Sequence, residues 1–221
     1  MSAPVPSAYL GKINLQQALL MQSKILEDIA QKRSSGLVMG FELEPVVTLG
    51  VRGQEGDVFE EKQLLDQGYR IERVDRGGQA TLHNPGQLVV FPVLPIAPLG
   101  VRDWICRLIK VTQRTGRAFG QYWRWEEDSP GLYDGQGKVV SIGIRVRCGV
   151  STHGLAINVH NDLEAFSWIR ACGREGANLS RLQTKKPLAE IFNTWCASYE
   201  AEVDKSSQVV EFDVDFCSVR S

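Results

Sequence analysis

Apolar positions in this chain recur with two different periods, and the alternation between them outlines a mixed α/β architecture. Asn14 followed by Gln17 has the form of a capping box opening a helix to about Lys32, with Leu15, Leu19, Leu26 and Ile29 near one face. A second three- and four-residue spacing follows Gly100 through Val101, Trp104, Ile105, Leu108 and Val111. A third begins at Pro187, a residue suited to a first helical turn, and aligns Leu188, Ile191, Phe192, Trp195 and Tyr199. Short β-like runs lie between them: VVTL from Val46, RIERV from Arg70, LVVFPVL from Leu88, KVVSIGIRVR from Lys138 and LAINV from Leu155. A last run, QVVEFDV from Gln208, puts Val210, Phe212 and Val214 on one face. No repeat, low-complexity tract or linker divides the pattern, so a single domain over 1–221 is expected, a mixed β-sheet with packed helices. Gly131 to Gly137 should form a turn before the central strand.

Composition narrows the ligands. With 25 Lys and Arg against 26 Asp and Glu and no basic block, electrostatic capture of nucleic acid is disfavoured. The amino terminus does not read as a secretory signal, and the apolar run Leu88 to Val101 is broken by Pro92, Pro95 and Pro98, which predicts a soluble, cytoplasmic protein. Five scattered cysteines without a CxxC pair argue against a disulfide framework and a cysteine zinc site. The histidines His83, His153 and His160 fit no HExxH or HxxxH pattern, so no metal is expected.

Three features carry candidate chemistry. DRGGQATLHNPGQLVVF, Asp75 to Phe91, sets glycine turns around a lone histidine and reads as a cradle where another molecule approaches the backbone. Period-two alternation puts Lys138 on the same side of its strand as Val140, Ile142, Ile144 and Val146. Such a lysine either marks the strand end and reaches water, or is a desolvated cation awaiting an anionic partner. Among the thiols, Cys172 in IRACGREG is flanked by arginines and glycine, the setting of a reactive cysteine, and Cys148 is its nearest competitor.

RGGQATLHNPGQ (76–87), GKVVSIGIRVRCGVSTHGLAINV (137–159) and IRACG (169–173), together with SPGLY at Ser129, resemble the octanoyltransferases of lipoate biosynthesis. The resemblance implies a fold similar to the catalytic domain of biotin and lipoate ligases. It implies transfer of an octanoyl group from octanoyl acyl carrier protein, through a cysteine thioester, to a lysine of lipoyl domains of 2-oxoacid dehydrogenases or the glycine-cleavage carrier protein, without a cofactor. Carried onto this chain, the thioester-forming residue is Cys172 and the lysine that lowers its pKa is Lys138. The acyl-binding segments are Arg76, Gly77, Gly78, Gln79, Ala80, Thr81, Leu82 and His83, then Ser141, Ile142 and Gly143, then Gly154, Leu155 and Ala156. Leu82, Asn84 and Ala171 depart from the familiar aromatic, glycine and proline. The rival readings are an ATP-dependent lipoate ligase and a non-catalytic acyl-binding protein on the same fold.

Overall fold

The computed structural model describes residues 5–126, 129–170 and 178–206. Ten strands form two sheets among these residues. The larger has the order β1 (Ser7–Ile13), β2 (Leu37–Leu43), β6 (Gln87–Val93), β10 (Val150–Asn158), β9 (Lys138–Arg147), β8 (Gly131–Tyr133), β7 (Arg124–Glu126). Only β1 and β2 run parallel in it. The smaller sheet centres β3 (Val46–Leu49) between a parallel β4 (Arg70–Arg73) and an antiparallel β5 (Ala80–His83).

Helices cover both faces of the large sheet, which is why β6 is buried at every position and reads as an unbroken apolar run. On one face, α3 (Val101–Ala118) and α4 (Leu188–Ser206) pack Trp104, Leu108, Phe192 and Trp195 against Val38, Leu88, Val90, Leu155 and Ile157. Gly40 lets α4 come close, since a Cβ there would stand 2.2 Å from the Phe192 ring. On the other face, α1 (Leu15–Ala30) sets Leu15 and Ala18 against Met39, Phe41, Val89 and Phe91. The capping box is present: the Asn14 side chain accepts from the Gln17 N–H, and the Gln17 side chain accepts from the Asn14 N–H. A short α2 (Glu61–Asp66) contributes Leu64 to the core beneath the small sheet.

The predicted helices and internal strands fall close to these bounds, and β10 starts earlier than the LAINV run suggests. β1, β2, β5, β7 and β8 are not evident in the sequence pattern; β5 falls within the glycine cradle, and β8 occupies Gly131–Tyr133, so the turn expected over Gly131 to Gly137 is confined to the residues after Tyr133. The QVVEFDV run lies outside the described residues, as does Cys172. Cys148 and Gly149, at φ 49° and 77°, form the two-residue turn of the β9–β10 hairpin, so the Cys148 context reflects a turn with left-handed backbone at both positions. Cys148 and Cys196 carry free thiols, and burial pushes the Cys196 thiol up to about 11. Cys106, on α3, is disulfide-bonded, against the expectation drawn from cysteine spacing. No helix among the described residues is long and apolar enough to cross a membrane.

Candidate active site

The two sheets meet along β9. Past Ser141 the outer edge of β9 is no longer paired with β8, and the Gly77 N–H donates to the Ile144 carbonyl at 3.0 Å. The approach leaves no room for side chains: a Cβ on Gly77 would lie 2.9 Å from the Ile144 oxygen, and one on Gly143 would lie 2.9 Å from the Gly77 oxygen. The glycines of the cradle therefore first join two layers of backbone. Arg76 serves the same junction. Its guanidinium donates to the Thr48 carbonyl (2.7 Å) and hydroxyl (2.8 Å) and to the Gln79 carbonyl (2.9 Å), bracing the glycine turn against β3.

Beside this junction opens a cavity of about 690 Å³. That volume is in the ~300–1,000 Å³ range of sites that enclose a small organic ligand. The sequence-predicted residues Arg76 to Thr81, His83, Ser141 to Gly143 and Gly154 to Ala156 all line it. Leu82 does not; it is fully buried in the core under the small sheet. Leu15, Leu43, Val74, Val89, Phe91, Ile105 and Trp125 make most of the remaining wall apolar. No group of histidine, cysteine and carboxylate side chains suited to a metal occurs among the described residues.

Lys138, at the start of β9, is 2% exposed, so it does not reach water as a strand-end lysine would. The SPGLY segment is folded around its ammonium. Nζ donates to the Pro130 carbonyl at 3.1 Å and lies 5.3 Å from the Tyr133 ring centroid. The Tyr133 hydroxyl is held by Ser129, at 2.6 Å from its Oγ. Gly131 is obligatory here, because a Cβ would lie 2.7 Å from Lys138 Cε and 2.5 Å from the Val140 oxygen. Pro130 also lines the cavity, so the ammonium stands just behind its wall. No carboxylate pairs with Lys138 among the described residues.

His83 is tied to the same end of the site. Its Nδ1 is 2.6 Å from Gln87 Oε1; Gln87 Nε2 donates to Asn158 Oδ1 at 3.0 Å, and Asn158 Nδ2 donates to the Lys138 carbonyl at 3.5 Å. Burial drops the His83 pKa to about 4, so the ring is neutral near pH 7. Asn84, one of the departures from the familiar motif, is buried and donates to the Tyr69 hydroxyl (3.0 Å) and the Asp162 carbonyl (2.9 Å), which pins the turn entering β6.

Sequence reasoning missed His153. It lines the cavity, is 2% exposed, and has φ 54°. Strict alternation along β10 would set it with Leu155 and Ile157 on the α3 side. The left-handed backbone instead brings its ring against Phe91 on the α1 side, centroids 5.5 Å apart, with Nε2 2.6 Å from Asp75 Oδ1. Burial lowers the pKa of this ring too. A histidine one residue before a predicted binding segment was the available signal.

An apolar cavity under a glycine-rich junction, with a buried lysine behind its wall, is a pocket suited to a small, largely apolar ligand. The lipoyl protein ligase A/B catalytic domain model matches residues 14–191. Octanoyltransferases from Hahella chejuensis and Caldicellulosiruptor bescii are 34% and 33% identical over 184 and 180 residues, covering 80% and 79% of this chain and the same shares of theirs. A bi-partite lipoate protein ligase from Thermoplasma acidophilum superposes with a TM-score of 0.73 at 15% identity, covering 92% of this chain and 85% of that one, a likeness of fold. The chain belongs to the lipoyl protein ligase A/B catalytic domain family and, within it, to the octanoyltransferases.

Proposed function

We propose that this octanoyltransferase carries its acyl group as a thioester on Cys172, with Lys138 as the cation that holds the thiolate. One observation supports the pairing most: an ammonium that is 2% exposed and that, among the described residues, meets one carbonyl and one aromatic ring and no carboxylate. A buried charge is costly unless paired, and a thiolate would be the missing partner. A cysteine of ordinary pKa, about 8.5, is mostly protonated at neutrality, and a nearby cation favours the nucleophilic form.

In the first half-reaction the Cys172 thiolate attacks the thioester carbonyl of octanoyl acyl carrier protein. The carrier's C–S bond breaks, and its thiolate leaves and takes up a proton. In the second, the amine of a lipoyl-domain lysine attacks the Cys172 thioester; the new C–N bond forms, the C–S bond breaks, and the thiolate returns beside Lys138. Lys138 gives its proton to the departing carrier thiolate in the first half-reaction, which leaves its amine neutral. The neutral amine is suited to accept the proton from the attacking lysine. The backbone groups of 141–143 and 154–156 and the apolar wall would hold the chain. The acceptors are lipoyl domains, such as those of 2-oxoacid dehydrogenases and the glycine-cleavage carrier protein, and the reaction is cytoplasmic.

The rival on this fold is ATP-dependent ligation of a free acid. The thioester donor is already activated, so transfer to an apo lipoyl domain should proceed with neither ATP nor magnesium. Gel-shift or mass analysis of the lipoyl domain decides it. Strict ATP dependence with free octanoate, and no use of the carrier-bound donor, would establish the ligase instead.

A further inference from the structure

We propose that His153, held by Asp75, forms the polar end-stop of the acyl channel and sets how long a chain the site accepts. The inference rests on the reading that the thioester forms beside Lys138.

The channel has a measurable direction. The Lys138 ammonium lies at the Pro130 carbonyl beside Gly131, which pairs with Ser141, so it stands level with Ser141, three residues from Ile144 on β9 and about 10 Å from it at the rise of an extended strand. His153 pairs with Ile144 in the β9–β10 register, so it stands about that far along the cavity from the ammonium. Between them the floor is small and apolar: Gly143 pairs with Gly154, and Ser141 with Ala156. An extended eight-carbon chain measures about 10 Å, at roughly 1.3 Å per carbon projected from bonds of ~1.5 Å. From a sulfur near the lysine, such a chain ends on the approach to His153, and one four carbons longer would run onto the ring.

His153 is built to resist that. Its Nε2 is engaged by Asp75 at 2.6 Å, and Asp75 is in turn paired with Arg145 at 3.2 Å, so the ring is tethered to a charged surface cluster and cannot swing aside. The left-handed φ fixes the backbone that presents it. Its N–H at the main chain donates to Gln22 Oε1 of α1, 2.6 Å away, a second tether. Nδ1 makes no hydrogen bond among the described residues, and covering it with methylene groups would strand a buried polar atom. Phe91 packs edge-on to the ring and closes the remaining space.

The test is a chain-length profile. Reduced full-length protein is mixed with octanoyl, decanoyl and dodecanoyl acyl carrier protein, and the rate of acyl-enzyme formation is read by intact mass. Wild type should favour octanoyl over dodecanoyl by about tenfold or more, the cost of burying one unpaired polar atom. His153→Gly tolerates the left-handed backbone and empties the end of the channel, and should bring that ratio to about threefold or less. Asp75→Asn, at a half-exposed position, loosens the tether and should shift the ratio in the same direction by a smaller factor; it also serves if the glycine variant does not fold. An unchanged ratio in a folded variant overturns the end-stop. A wild-type protein that forms no octanoyl adduct at all would count against the thioester reading and remove the basis of this one.

Discussion

Replacing Lys138 by Met keeps most of the side-chain volume and deletes the charge. Among the described residues the ammonium has one hydrogen bond, 3.1 Å to the Pro130 carbonyl, and one ring contact, so little else is lost with it. An opposite charge within ~4–6 Å moves a titrating group by about 1–3 units, and Lys138→Met should therefore raise the Cys172 pKa by that amount. Each unit is about 1.4 kcal/mol and a tenfold loss of thiolate at neutral pH, so acylation should slow by roughly ten- to a thousandfold. Fold stability should change little, because Met fills most of the same volume and the cysteine left without its cation takes up a proton instead of remaining a buried anion. The assay is the pH dependence of iodoacetamide alkylation under reducing conditions, resolved by peptide mapping, with the exposed free thiol of Cys148 as internal reference. The Cys172 profile should move to higher pH while that of Cys148 stays in place. Coincident Cys172 profiles in wild type and variant would refute the ion pair.

Lys138→Met should also slow transfer from preformed acyl-enzyme to an apo lipoyl domain in single-turnover experiments; normal transfer would exclude Lys138 as the base. Gly131→Ala should cost about 1–3 kcal/mol in thermal or denaturant unfolding and most of the activity, since its Cβ would press on Lys138 Cε and the Val140 oxygen. His83 has a folded pKa of about 4 against about 6.5 unfolded, so below pH 6.5 the unfolded chain binds the extra proton. Stability should fall as pH drops from 6.5 towards 4, by at most a few kcal/mol, and His83→Gln should flatten that part of a Tm-against-pH curve; parallel curves would contradict a buried neutral ring.

α1, α3 and α4 were legible because each has an apolar stripe and one has its capping box, and β9 because its alternation is uninterrupted; the six-residue α2 is too short to show a stripe. β2 and β5 were not. β2 carries Gly40 and Glu42 among its apolar residues, and β5 is four residues long beside a glycine turn, so neither shows a clean period. At the site, local composition marked the glycine turn and Lys138, but composition could not say that Arg76 is spent on Thr48 and Gln79, or that Leu82 turns into the core. Those facts depend on how two sheets dock. His153 escaped for a sharper reason: its φ of 54° breaks the alternation from which a strand residue's side is read. The burial of Lys138 lay between the two cases, since the strand pattern allowed either a water-reaching or a desolvated lysine and tertiary packing decided.

The most direct test of the account is intact-mass analysis of reduced wild-type protein mixed with octanoyl acyl carrier protein, with the adduct mapped by peptide mass spectrometry and then chased with apo lipoyl domain. The account predicts one octanoyl group per chain, located on Cys172, absent in Cys172→Ser, and passing to the lipoyl domain when it is added. Octanoylation of the lipoyl domain by Cys172→Ser at an undiminished rate, or an adduct on Cys148 that alone supports the chase, would contradict it.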